Sequence, residues 1–247
     1  MSVTQLLLPF GSAIIMAVLT YDIFRRYQQH HGGHTHLVFW GVGLGMFAVA
    51  AFCGGLLYFG WNEAAFIGWF LFGAMLNAAW IGQGTILLLV RKRWVTALSI
   101  ILVIASVLAA IILLSTPLNG AQYQANVSVF EQYKSVLPTD AIARRILTPL
   151  FNIYGTIAVV GGALWSSYLF YKKEILPNRV IGNVLIAAGA LAIGGAGTLT
   201  ATGFSQVHEL SQLVAAILIY AGFVFASRPA AVQENERTAA AKPVAAK

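Results

Sequence analysis

The chain has 247 residues, of which 59% are hydrophobic and only 9% are charged. Soluble domains carry about 25% charged residues, so this composition excludes an ordinary water-facing surface. The net charge of +7 comes from short basic clusters between apolar stretches, a topology signal of membrane proteins rather than a nucleic-acid-binding face. We therefore expect a protein that contacts the lipid bilayer and has no nucleic-acid partner.

Seven apolar stretches are long enough to cross a membrane, because a spanning helix needs about 20 mostly apolar residues. Lipid offers no hydrogen-bond partners to bare backbone, and the alternation typical of barrel strands is absent. The sequence thus predicts an all-α, polytopic membrane helical bundle in one domain, residues 1–227. The predicted spans are 4–23, 37–59, 64–90, 95–115, 149–170, 180–201 and 208–227.

The basic residues predict the direction of the helices. Twelve of the 15 Lys and Arg residues follow the first, third or fifth span or lie in the C-terminal tail, and only Lys134, Arg144 and Arg145 lie on the other side. Because Lys and Arg collect in cytoplasmic loops, the N-terminus is predicted outside and the C-terminus inside. The absence of organelle-targeting signals favours a bacterial-type cytoplasmic membrane, which the chain would cross as a multi-pass protein.

Two segments are predicted to lie outside the membrane. The outer loop 116–148 has apolar residues at helical spacing up to Pro138, and a second short helix is expected through Ile142 and Ile146, so two short interfacial helices are predicted. The apolar residues of the first are Val129, Phe130, Tyr133, Val136 and Leu137. The tail 228–247 is predicted to be disordered and cytoplasmic, because its composition cannot build a core.

The spans show a possible internal repeat. Residues 8–14 match 152–158 at an offset of 144, and the second and sixth spans align Gly41 with Gly182. This pattern favours two parallel triplets joined by the fourth span, a 3+1+3 layout that occurs in some small-solute carriers. The alternative is chance similarity, since Gly and Ala are common in membrane helices.

Uncharged polar residues within the spans are the candidate functional residues, because ionisable groups are almost absent there. Asn77 and Gln83 lie in the third span, Asn152 and Thr156 in the fifth, and Asn183 in the sixth. Such amides and hydroxyls are predicted to line a path for a solute. The alternative is that they hydrogen-bond between helices and hold the bundle together.

The remaining acids and the glycines are interpreted structurally. Glu63 and Glu209 begin the third and seventh spans, where the helix dipole favours an acid. Small residues such as Gly41 and Gly45 allow close helix contact, and an alternative use of glycine-rich faces is to pair two copies of the chain in a homo-oligomer.

Four histidines crowd the first predicted inner loop. They are His30, His31, His34 and His36. Imidazoles can bind zinc, copper or nickel, but no cysteine or carboxylate in the loop completes a tetrahedral set. A solvated, pH-sensitive loop is the preferred interpretation, with metal binding as the alternative.

The sequence lacks the parts of several functions. There is no phosphate loop, HExxH motif or nucleophile elbow, and the last span has no lysine for a retinal Schiff base. We therefore expect no cofactor and no enzymatic activity. The leading prediction is passive or exchange transport of a small neutral or amphiphilic solute. Alternatives are a ligand-sensing membrane protein, a structural subunit of a membrane complex and, last, an enzyme that uses a metal on the histidine loop.

Overall fold

The computed structural model describes the backbone of residues 3–29, 34–90, 92–172, 177–201 and 207–227, with side chains for most of them. Over these residues the structure is helical and contains no strand. The helices are α1 Val3–Gln29, α2 Thr35–Leu56, α3 Glu63–Leu89, α4 Arg93–Leu114, α5 Val129–Val136, α6 Ala143–Leu147 continuing without a break into Thr148–Lys172, α7 Pro177–Ala201 and α8 Val207–Ala226. The predicted tail 228–247 lies outside the described residues.

Six of these helices are long and apolar enough to cross a membrane, namely α1, α2, α3, α4, α6 and α8. Helix α7 has 25 residues, of which Asn178–Ile193 form a shorter apolar stretch. The structure therefore confirms an all-helical chain with several helices able to span a membrane. The count of seven spans and their direction stay predictions.

Six helices pack in a closed ring. Helices α1, α2, α3, α6, α7 and α8 each contact their neighbours in that order, and α8 returns to α1. Glycines permit the close crossings: a Cβ on Gly155 of α6 would lie 2.3 Å from the Ala78 carbonyl carbon of α3. Between α7 and α8, a Cβ on Gly182 would lie 2.5 Å from the Gly222 carbonyl oxygen. The ring is thus built on backbone-to-backbone contacts that a larger residue would prevent.

Helix α4 lies outside the ring, against α3 and the start of α6. Gln83 of α3, fully buried, donates from Nε2 to the Val95 carbonyl oxygen at 3.1 Å and to Ser99 Oγ at 2.7 Å. One turn away, Trp80 Nε1 donates to Ser106 Oγ at 3.0 Å. These bonds fasten a helix whose remaining surface is strongly apolar and exposed, as a lipid-facing helix requires.

Wider π-helical turns occur in α3, at Trp69–Leu76, and at the start of α6, at Ala143–Leu147. A π turn disturbs the regular hydrogen-bond ladder, so a side chain can take its carbonyl groups. Asn152 Nδ2 does this across the helix interface, donating to the Ala74 carbonyl oxygen at 2.7 Å. The second helical stretch expected in the outer loop, through Ile142 and Ile146, is not separate, because it continues directly into α6.

The two ends of the bundle differ. One end carries Arg26, Arg93 and Arg179 at the ends of α1, α4 and α7, and we call it the basic end. The other end is covered by α5 and its loop, and we call it the cap end. Tyr123 Oη donates to the Leu57 carbonyl oxygen at 3.0 Å, and the Asn126 amide donates to the Tyr58 carbonyl oxygen at 2.9 Å. Burial raises the pKa of the Tyr123 hydroxyl above its usual range.

Candidate functional site

A cavity of about 390 Å³ lies inside the ring at the basic end. All six ring helices line it, each with residues three or four apart on one helix face. The lining residues are Leu19 and Ile23 of α1; Trp40 and Leu44 of α2; Ile81, Thr85, Leu88 and Leu89 of α3; Val159, Gly162, Ala163 and Ser166 of α6; Arg179, Asn183 and Ile186 of α7; and Ile219, Phe223, Ala226 and Ser227 at the end of α8. Its volume falls within the range of about 300–1,000 Å³ that is typical of small-molecule sites.

The cavity reaches well into the bundle. Along α3 its lining runs from Leu89 to Ile81, which at 1.5 Å per residue is about 12 Å. That depth is somewhat less than half of a hydrocarbon core of about 30 Å. Beyond Ile81, Met16 and Phe47 are buried on the next turns of α1 and α2. Among the described residues, the site is therefore a pocket at the basic end whose lining on α3 ends at Ile81.

Hydrogen-bonded side chains mark the polar part of the wall. Trp40 Nε1 donates to Thr85 Oγ1 at 3.3 Å, which joins α2 to α3. On the opposite side, Asn183 Nδ2 donates to Ser166 Oγ at 2.9 Å, which joins α7 to α6. These groups lie between apolar residues, so the cavity combines a few oriented polar groups with a mainly hydrophobic surface.

Positive charge is concentrated at the mouth of the cavity. Arg179, in the first turn of α7, is the only charged residue among the described residues that line it. The Arg26 guanidinium lies 4.6 Å from the centre of the Phe223 ring, and Phe223 is itself part of the wall. Both guanidinium groups stay protonated at all physiological pH values.

The structure distributes the predicted path residues among different places. Asn183 lines the cavity. Gln83 is buried between α3 and α4 and accepts a hydrogen bond from Tyr154 Oη, whereas Asn152 bonds to α3 and to the Thr148 carbonyl oxygen at 2.9 Å. Asn77 is half-buried on the α2 side of α3, and Thr156 is exposed on α6. The five residues are thus not brought together around one site.

The histidine loop is described only in part. His30 and His31 lie outside the described residues. The His34 and His36 rings have their centres 5.6 Å apart, and the His36 ring meets the edge of Trp40 at 5.3 Å. Among the described residues there is no group of three or more His, Cys, Asp or Glu side chains that could hold a metal ion. Metal binding by this loop stays a prediction.

A second polar cluster lies beneath the cap. The Glu209 carboxyl, only 6% exposed, accepts a hydrogen bond from Tyr58 Oη at 2.8 Å and another from Ser128 Oγ, the N-cap residue of α5. The neighbouring His208 ring stacks on Phe130 of α5, with ring centres 3.7 Å apart. The sequence predicted Glu209 as an acid at a helix start but gave no sign of its partners, since they are 81 and 151 residues away.

Removing this carboxyl is expected to loosen the cap. Glu209→Ala leaves two buried hydroxyls without their acceptor, so the free energy of unfolding should fall by about 3 kcal/mol. Glu63→Ala is the matched control, because Glu63 also begins a helix at the cap end but is exposed, and its loss should cost less than about 1 kcal/mol. Thermal unfolding of both variants in the same lipid nanodiscs measures the difference. Equal losses would show that the contacts of Glu209 add nothing to the ordinary effect of a helix-start acid.

Comparisons with protein-family models, with curated proteins and with solved structures find no match for this chain.

Proposed function

We propose that this protein carries a small neutral or amphiphilic solute across a bacterial-type cytoplasmic membrane by passive or exchange transport, with the cavity at the basic end as its solute site. The main support is that all six ring helices contribute to one cavity, whose lining among the described residues lies in the half of the bundle at the basic end. A pocket of this form is what one half of an alternating-access cycle requires.

The order of the ring also supports transport. If α1–α2–α3 corresponds to α6–α7–α8, then every contact in the first triplet has an equivalent in the second, and the α3–α6 contact is equivalent to the α8–α1 contact. Helix α4, outside the ring, would be the linker of a seven-span 3+1+3 arrangement with the N-terminus outside. Carriers built from two such repeats move the solute by rocking one repeat against the other.

Within this proposal the polar residues have two different roles. Asn183 and its partner Ser166 contact the solute, since both line the cavity. Gln83 and Asn152 hold the helices together, since their amides bond to α4 and to the π turn of α3. The basic end would be cytoplasmic, so the cavity represents an inward-open state.

Access to the cavity from both sides of the membrane tests the proposal without knowledge of the substrate. In a Cys53→Ala background, Ser166→Cys introduces a single thiol on the cavity wall, and a membrane-impermeant maleimide is applied to either face of oriented proteoliposomes. A carrier should be labelled rapidly from the basic end and, more slowly, from the cap end as the outward-open state is visited. Labelling from the basic end alone over many hours would identify a fixed pocket and contradict transport.

Labelling is accompanied by two flux measurements. Erythritol serves as the neutral probe, and its uptake is measured by light scattering. Labelled octanesulfonate serves as the amphiphilic probe, because its permanent charge slows unassisted crossing of the bilayer. The rate of uptake of at least one probe should be higher in proteoliposomes than in protein-free liposomes. Leu164→Cys, on the exposed face of the same helix, controls for thiol reactivity that is unrelated to the cavity.

A further inference from the structure

We infer that the cavity at the basic end binds an amphiphile whose head is an uncharged carboxamide and whose body is aliphatic or aromatic. The head binds at Asn183 and Ser166, and the body occupies the deeper, apolar part of the cavity. This inference rests on the proposed function, because it names the substrate class of the same site. Its basis is the hydrogen-bonding capacity that the wall leaves unused.

The polar groups on the α2–α3 side of the wall are already paired. Trp40 Nε1 donates to Thr85 Oγ1 at 3.3 Å, and the Thr85 hydroxyl donates in turn to the Ile81 carbonyl oxygen at 3.1 Å. An indole and a hydroxyl have one donor each, so neither side chain has a proton left to donate. This side of the wall therefore offers a ligand mainly van der Waals contact.

The α6–α7 side of the wall keeps unused capacity. Asn183 Nδ2 donates one of its two N–H groups to Ser166 Oγ at 2.9 Å, and both residues line the cavity. Among the described residues neither side chain makes another hydrogen bond. The second N–H of Asn183, its Oδ1 and the O–H of Ser166 are thus left for a ligand. Two donors and one acceptor lie side by side here, whereas Ser227, the remaining uncharged polar residue of the wall, lies at the end of α8.

A carboxamide matches this set of donors and acceptors. It can donate an N–H to Asn183 Oδ1 and accept, on its carbonyl oxygen, from the Asn183 N–H or the Ser166 O–H. A carboxylate or a ketone has no proton to donate and leaves Asn183 Oδ1 without a partner, and an ammonium group cannot accept from either donor. Since a polar group that has lost its water and gained no partner weakens binding, the wall favours a head that both donates and accepts.

The deeper wall fits an apolar body. Beyond Asn183 the lining among the described residues is aliphatic, and it consists of Leu19, Leu44, Ile81, Val159, Ile186 and Ile219. A cavity of about 390 Å³ holds about a dozen non-hydrogen atoms, if each takes the roughly 30 Å³ of a water molecule in the liquid. A single carboxamide on an alkyl or aryl body of this size therefore fits, whereas a second polar group on the ligand would lie against the aliphatic lining without a partner.

Equilibrium binding to the full-length chain in phosphatidylcholine nanodiscs tests the inference. The probes are octanamide, nonan-2-one and octanoate at about pH 8, where octanoate is ionised. They have the same length and shape, and they differ in whether the head donates a hydrogen bond and whether it is charged. Titration calorimetry, with empty nanodiscs subtracted, gives the affinity of each probe. We expect the wild type to bind octanamide at least about tenfold more tightly than octanoate.

The variant Asn183→Leu locates the head group. The ratio of the octanamide and nonan-2-one affinities is compared between this variant and the wild type, because dehydration of the probes and their partition into lipid are the same for both proteins and cancel. We expect the ratio to fall about tenfold in Asn183→Leu, since only octanamide can donate to Asn183 Oδ1. Thr85→Val is the matched control, because the Thr85 hydroxyl is already paired, and it should leave the ratio within about twofold of the wild type.

Two results would overturn the inference. One is an octanamide to nonan-2-one ratio that Asn183→Leu leaves unchanged, and the other is a wild type that binds octanoate as tightly as octanamide. The octanoate comparison needs no variant, so it decides the outcome should Asn183→Leu fail to fold.

Failure of the inference and failure of transport are distinguishable. A preference for octanamide that depends on Asn183, without labelling of Ser166→Cys from the cap end, would leave a binding site but no carrier. Labelling from both ends without that preference would leave a carrier for a different solute class.

Discussion

A single methyl group at Gly155 is expected to destabilise the bundle severely. In Gly155→Ala the new Cβ would lie 2.3 Å from the carbonyl carbon of Ala78 and 2.5 Å from the amide nitrogen of Ala79. These are backbone atoms, so no side chain can turn away, and α3 and α6 must separate at the crossing that closes the ring. Overpacking typically costs about 1–3 kcal/mol, and because backbone atoms cannot turn away we expect the free energy of unfolding to fall by about 3 kcal/mol.

Gly161→Ala is the control, because it makes the same change six residues further along the same helix. A Cβ on Gly161 has no atom within 4 Å, and the residue is exposed. This variant should be neutral or slightly more stable, since alanine has a higher helix propensity than glycine by roughly 1 kcal/mol. Thermal unfolding in nanodiscs and the fraction of monodisperse protein after purification compare the two. Similar behaviour of both variants would mean that α3 and α6 do not cross as closely as the structure shows.

Much of the fold was predictable because the membrane imposes it. A span of apolar residues must form a helix in lipid, so the presence and order of α1, α2, α3, α4, α6 and α8 follow from hydropathy. Their lengths follow less closely, since α1 ends six residues after the predicted span and α6 begins six residues before it. The order of the helices in the ring is a different matter, since any apolar face can contact lipid or another helix. The close crossings occur at glycines such as Gly155 and Gly182, which the composition makes common and therefore uninformative one by one.

The limits of site prediction are clearest on α6. The sequence predicted that Asn152 and Thr156 both line a path, but the face that enters the ring is marked by the small residues Gly155, Ala158 and Gly162. Thr156 follows Gly155 by one residue, which rotates it by about 100° and leaves it exposed. In a membrane helix a hydroxyl can bond to its own backbone, so polarity alone does not say which face is buried. The buried face is instead indicated by small side chains at the helix crossing.

The positions of charged residues and the long-range contacts were harder still to predict from the sequence. Arg179 counted only as a topological signal, because its place in the cavity wall depends on how α7 packs against α6 and α8. The cluster of Tyr58, Ser128 and Glu209 joins residues from three separate parts of the chain. No local spacing encodes such a contact, so it appears only once the ring and the cap have formed.

Filling the cavity is expected to abolish transport while the protein remains folded. Ala163 lies in the cavity wall and is 6% exposed, so the ring of Ala163→Phe would enter the space that the solute needs. Because the cavity is about 390 Å³, it can accept the added side chain without displacing backbone. Uptake of whichever probe the wild type carries should fall by at least about tenfold, since a path is controlled by its narrowest lining.

Leu164→Phe is the control, because it places the same side chain one residue further along, where Leu164 is 53% exposed. It should leave uptake within about twofold of the wild type. If Ala163→Phe is stably folded and still transports at the wild-type rate, the solute does not pass through this cavity.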